Sequence, residues 1–160
     1  MRIPTFVLFA ITVVVSVTIL GNLAQAADNQ VGIWKLNVAK SKFSPGPTPK
    51  EATLTIESQP DGLKITLHGT DGEGKAVHAE FSPKYDGKDY PAMGMPGGAD
   101  AISLKKIDDY TIETVSKKDG SPLVTTRSVV SKDGKTRTST QIGTNAKGET
   151  VNNTLVYEKQ

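Results

Sequence analysis

Two imidazoles flank one turn signal in this chain. His68 and His78 lie on either side of Asp71-Gly72. A hairpin closing at that turn sets them opposite or diagonal on one sheet face, within side-chain reach. Glu80 has the same parity, and two imidazoles with a carboxylate are a ligand set for zinc or copper. Both histidines, however, alternate with Leu63, Ile65 and Leu67 or with Val77, Ala79 and Phe81, which puts them on the wet side. Solvated histidines are common there. The sequence therefore assigns no metal, with His68 and His78 kept as candidates only.

A second set of residues suits ligand binding. Arg127 shares a strand face with Leu123, Thr125 and Val129. If that face points inward, a guanidinium in a low-dielectric interior needs a partner, and a ligand carboxylate would serve. Tyr157, on the closing strand, is placed to donate its hydroxyl to the same ligand, or simply to pack its ring and bond a backbone carbonyl. Tyr90, Met93 and Met95 fall in a Gly- and Pro-rich stretch, Tyr85 to Asp100. This reads as a long loop whose flexible apolar side chains form a lip over an opening. Trp34 reads as a plug at the other end.

Catalytic signatures are sparse. The chain has no cysteine, so no thiol nucleophile or thiolate zinc site is available. It has no G-x-S-x-G elbow, no H-E-x-x-H, no Walker loop and no dinucleotide fingerprint. The expectation is a protein that is not an enzyme and uses no cofactor.

The elements that must position these residues are strands. Asp-Gly recurs at Asp61-Gly62, Asp71-Gly72, Asp86-Gly87, Asp119-Gly120 and Asp133-Gly134, and Lys147-Gly148 behaves alike. Both residues of Asp-Gly tolerate positive φ and so suit hairpin turns. Between the turns apolar and polar residues alternate, as in Trp34-Lys35-Leu36-Asn37-Val38 and Leu63-Lys64-Ile65-Thr66-Leu67. That is the period of a half-buried strand. About nine or ten such strands joined by tight turns form an antiparallel meander. Curling it shut removes its exposed edges. The predicted fold is all-β, an antiparallel up-and-down β-barrel with little or no helix. Ser44-Pro45-Gly46-Pro47-Thr48-Pro49 reads as an extended, polyproline-like connection. Thr and Ser fill many remaining positions, as in Thr136-Arg137-Thr138-Ser139-Thr140, either lining a partly hydrated interior or facing solvent.

Composition narrows the class. The chain has 160 residues, 19 Lys and Arg against 17 Asp and Glu, and a net charge of +2. Its paired lysines, Lys105-Lys106 and Lys117-Lys118, are followed by Asp108-Asp109 and Asp119. No phosphate-neutralising patch forms, which excludes nucleic acid as a partner. At the N-terminus, Met1-Arg2, an apolar run from Phe6 to Leu20 and the small-residue site Ala24-Gln25-Ala26 follow in order. The run falls short of the ~20 residues that span a bilayer. Residues 1–26 are expected to be a cleaved signal peptide. Residues 27–160 would then be one exported domain without a membrane span, periplasmic or extracellular, of undetermined oligomeric state.

Certain motifs resemble a known family. Gly32-Ile33-Trp34 is similar to the G-x-W motif that opens the first strand in the lipocalin and fatty-acid-binding protein superfamily. Thr126-Arg127 and Val156-Tyr157-Glu158-Lys159 resemble its last strands. A closer resemblance, over nearly all of 27–160, is to small exported bacterial lipocalin-like proteins. It rests on Trp34-Lys35-Leu36-Asn37, Lys40-Ser41-Lys42-Phe43, Asp86-Gly87-Lys88-Asp89-Tyr90-Pro91 and Val156-Tyr157-Glu158-Lys159-Gln160. Fatty-acid-binding proteins hold a carboxylate with two inward arginines and a tyrosine. The resemblance places Arg127 and Tyr157 at two of these positions and Leu155 at the third, and the usual helical lid is replaced by the Pro-rich stretch. It implies a binder of a small apolar or amphipathic molecule. The other readings are an envelope-structural or protein-interaction module with a packed barrel, and a periplasmic metal binder.

Overall fold

The computed structural model describes residues 28–160; the expected signal peptide lies outside them. The described residues form ten antiparallel strands: β1 (Gly32–Leu36), β2 (Glu51–Gln59), β3 (Gly62–Thr70), β4 (Ala76–Phe81), β5 (Asp86–Met93), β6 (Ala101–Lys106), β7 (Thr111–Lys118), β8 (Ser121–Val130), β9 (Thr136–Thr144) and β10 (Thr150–Lys159). Each pairs with its sequence neighbours, and β1 also pairs with β10, so the meander closes into a barrel. The only helix among these residues is a single 3₁₀ turn, Val38–Lys40. The all-β up-and-down expectation holds.

One stretch differs from its sequence reading. Asp86–Met93 is strand β5, so the loop at this point is reduced to Gly94–Asp100. Pro91 is tolerated in β5 because the strand is poorly paired on one side: across the β4–β5 seam only Glu80 with Met93 and Phe81 with Ala92 are in register. A strand beside such a gap has no need of every N–H. Gly94, just beyond, has a φ of 70°, and a Cβ there would come within 2.0 Å of the His78 carbonyl oxygen. Both the turn and the close approach of backbones require glycine.

The two ends of the barrel differ. At one end Trp34, Ile56, Leu63, Leu104, Ile112 and Val130 are all essentially inaccessible and fill the interior. Trp34 Nε1 donates to the Gln30 carbonyl at 2.9 Å, and Lys159 Nζ lies 5.0 Å from the indole centroid. The residues ahead of β1 seal this end. Gln30 Nε2 donates to the Tyr110 carbonyl, and the Tyr85 hydroxyl donates to Asp28. Burial, reinforced by that carboxylate, pushes the Tyr85 phenol well above its ordinary pKa. Trp34 is therefore the end plug that the sequence suggested.

At the opposite end the chain leaves β1, makes its 3₁₀ turn under an Asn37 cap, and runs on along β10. Lys42 and Thr154 exchange backbone hydrogen bonds, and Asn152 N–H donates to the Ser44 carbonyl. The Pro45–Pro49 strap then crosses toward β2 and packs on the β3–β4 turn, where a Cβ on Gly72 would meet Pro47 at 2.5 Å. A chain of prolines spans this gap without needing donors of its own.

Candidate functional site

Inward residues differ around the barrel wall. From β1 to β6 they are apolar: Leu36, Leu54, Ile65, Leu67, Phe81 and Ile102. From β7 to β10 the wall turns polar, in rows set by strand register. Thr114, Thr126, Gln141 and Asn153 are successive partners across β7, β8, β9 and β10. The next row toward the plug runs Ser128, Ser139, Leu155, and below it Val130, Arg137, Tyr157 and Leu36. Short hydroxyl side chains cannot fill an interior as Leu or Phe would, so space remains between the plug and the strap. That space is a cavity of about 430 Å³, within the range of small-molecule sites. The lumen is not packed solid, contrary to the packed-barrel reading.

Arg137 lies on the cavity floor. It is the one buried charged side chain among the described residues, 6% exposed. Its Nε donates to Gln30 Oε1 at 3.2 Å and its Nη1 to Ser139 Oγ at 2.9 Å. Ser139 Oγ in turn shares a 2.8 Å hydrogen bond with Ser128 Oγ. All of these partners are neutral. Among the described residues no carboxylate pairs with the guanidinium, and burial lowers its pKa from 12.5 to about 10, an effect only partly opposed by Tyr157. The arginine still carries its charge at neutral pH. Tyr157, its cross-strand partner, is also buried, and burial pushes its phenol up to about 12 against the pull of Arg137. Two donor-bearing side chains thus lie side by side in the cavity lining, and among the described residues no carboxylate is bonded to either.

The rim is arranged differently. Asp71 and Glu149 border the mouth, but Asp71 Oδ1 accepts from the Glu73 and Lys75 amides. Glu149 accepts from Asn145 Nδ2 at 2.6 Å. Asn153 ties the strap to the wall by accepting from Ser44 N–H at 2.8 Å and donates to Gln141 at 2.9 Å.

Of the sequence candidates, Tyr157, Leu155 and Met95 line this cavity. Three do not. Arg127 is exposed: β8 buries Ser128 and Val130 instead, so the face bearing Thr125, Arg127 and Val129 is the outer one, while Leu123, beside a register shift against β7, borders the cavity. Both faces of β8 carry two aliphatic residues, and alternation cannot choose between them. Met93 is 79% exposed because it belongs to a strand and points out. Tyr90 is outside the cavity as well, donating to Asp86 Oδ2 at 3.0 Å. The arginine that sequence reasoning missed is Arg137. A usable signal existed, since a turn centred on Lys147 pairs Tyr157 with residue 137.

His68 and His78 are directly opposite in the β3–β4 ladder and exposed, on the outer face as their parity indicated. No group of three or more His, Asp or Glu among the described residues converges on a metal position.

The chain resembles the crystal structure of zebrafish ileal bile acid-binding protein complexed with cholic acid. The match has a TM-score of 0.53 and 14% sequence identity, and it covers 82% of this chain and 99% of that one. This likeness shows the fold. No family model matches the chain, and no curated protein matches it.

Proposed function

We propose that the barrel holds a small amphipathic molecule, its anionic head on Arg137 and Tyr157 and its apolar body against the β1–β6 wall. The observation that carries this reading is a buried guanidinium facing a cavity with only neutral partners. Desolvating a charge is expensive unless it is paired. A ligand carboxylate, sulfonate or phosphate would supply the missing charge, and Arg donors suit its geometry. The likeness to a barrel solved with cholic acid supports a small-molecule lumen in general. Entry would be at the strap end, past Met95 and Pro47, since the other end is sealed.

The same reading makes the protein a binder rather than an enzyme: among the described residues the cavity presents hydroxyls, amides and one guanidinium, with its carboxylates, Glu51, Asp71 and Glu149, toward the strap end. It also includes export, supported by the order of charged, apolar and small residues in 1–26. Native mass spectrometry of protein purified from its own host tests the binding. A bound species of a few hundred daltons, released by organic solvent and carrying an acidic group, is expected. Protein that carries nothing and fails to bind anionic amphiphiles would end this reading. Sequencing the mature N-terminus tests export, with Ala27 expected first.

A further inference from the structure

The outer face of the β3–β4 hairpin carries a feature that the lumen does not use. His68 Nδ1 and His78 Nδ1 face each other at 3.2 Å, with ring centroids 4.4 Å apart and planes tilted by 35°. In the metal-free protein this contact is a hydrogen bond in which one ring donates Nδ1–H and the other accepts. We propose that these two nitrogens form a clamp for one divalent late transition-metal ion, Cu²⁺ or Zn²⁺.

The geometry supports this. Imidazole nitrogens bind zinc at about 2.0–2.1 Å. An ion at that distance from both nitrogens, which are 3.2 Å apart, would see them at an angle of about 100°. That lies between the square-planar and tetrahedral values, so the nitrogen spacing suits chelation, and each ring has only to turn until its lone pair points at the ion instead of at the other nitrogen. Binding requires both Nδ1 lone pairs. The ring that donates in the hydrogen bond therefore carries its proton on Nε2 instead of Nδ1 once the ion is held. Register holds the clamp in place: Thr53, His68 and His78 are successive partners across β2, β3 and β4. Both ligands sit on paired strands, which fixes the spacing of their backbones.

A surface depression lined by Glu51, Thr53, Gly69, Ala76 and Val77 adjoins the two rings. Among the described residues no carboxylate joins the two imidazoles as a third ligand: Glu51 accepts from Thr70 Oγ1 at 3.3 Å, and Glu80 is engaged by Lys64 at 3.4 Å. Water would complete the coordination. Imidazole ligands favour Cu²⁺ over Zn²⁺ and bind neither Mg²⁺ nor Ca²⁺ well.

The test is calorimetric titration of the purified protein, without a histidine tag, with CuCl₂, ZnCl₂ and MgCl₂ at pH 7.5. One equivalent of Cu²⁺ or Zn²⁺ is expected to bind, Cu²⁺ the tighter, and Mg²⁺ not at all. His68→Gln and His78→Gln should each weaken binding at least about tenfold, no less than the loss of a supporting partner costs at a metal site. The double variant should be little worse than either single one. Both side chains are exposed, so circular dichroism should show unchanged folds. Millimolar Zn²⁺ that leaves the two histidine ring resonances unmoved overturns the proposal. So does a double variant that titrates like the parent, or a loss of affinity on changing one histidine only.

Discussion

Replacing Arg137 by methionine separates a ligand-binding arginine from a structural strut. The drop of its pKa from 12.5 to about 10 corresponds to about 3 kcal/mol of disfavour for the buried charge. Methionine removes that penalty while keeping most of the side chain's length and flexibility. Against this, Gln30 Oε1 and Ser139 Oγ each lose a donor. Both residues retain another bond, to the Tyr110 carbonyl and to Ser128. Hydrogen bonds to a charged group contribute about 1.5–3 kcal/mol each, about 3–6 kcal/mol for the two, so the opposing terms largely cancel. R137M should be destabilised by no more than about 3 kcal/mol, in line with other replacements of buried charges by hydrophobes. Binding should not cancel. An anionic head loses a charge-assisted bond, which is roughly 10- to 100-fold in affinity. Two fluorescent probes with the same aromatic frame isolate that effect. The sulfonate 1-anilinonaphthalene-8-sulfonate should bind R137M that much more weakly, while uncharged N-phenyl-1-naphthylamine should bind as before. Urea unfolding of the same preparations supplies the stability. Equal loss of both probes, or a variant destabilised by well over 3 kcal/mol with unchanged sulfonate affinity, would show that Arg137 merely holds the floor together.

Arg127→Ala, on the exposed face of β8, should leave both probe affinities unchanged and stability within about 0.5 kcal/mol, as read by the same titrations and urea curves. Thr126→Trp, in the row of the cavity farthest from the plug, should abolish binding of both probes by filling the lumen, at about 1–3 kcal/mol in stability from overpacking. Trp34→Ala should remove about 3–5 kcal/mol by emptying the plug, measured by urea unfolding. Tyr157 keeps its proton in the folded state up to about pH 12, above its ordinary value of 10. Its contribution to stability is therefore complete below about pH 10 and is lost as pH rises through the folded value. Thermal melts between these limits should fall more steeply for the parent than for Tyr157→Phe.

The division between what the chain spells out and what folding adds is visible strand by strand. Wherever aliphatic residues alternate with polar ones, as in β2, β3 and β4, parity was legible, because a slip of one residue would turn the whole apolar set to water. Trp34, Leu54, Ile65 and Phe81 face inward as their alternation required. Turn chemistry was mostly plain: Asp61-Gly62, Asp71-Gly72, Asp119-Gly120, Asp133-Gly134 and Lys147-Gly148 fall between paired strands as expected, whereas Asp86-Gly87 opens strand β5 at a register shift against β6 and closes no hairpin. The barrel follows from these two signals together.

The floor of the cavity does not. In β9 the sequence Thr136-Arg137-Thr138-Ser139-Thr140-Gln141 has no aliphatic residue to mark a face, and Ile142, the first to appear, is 60% exposed. Which of these residues points inward is set by closure of the barrel, through register with Val130 on one side and Tyr157 on the other. The same closure turned Arg127 outward and straightened Asp86–Met93 into a wall strand. Residue types and turns are local properties and can be read from the chain. The burial of Arg137 beside neutral partners depends on segments from both ends of the described chain meeting, Gln30 with β9 and β10, and exists only once the barrel has closed.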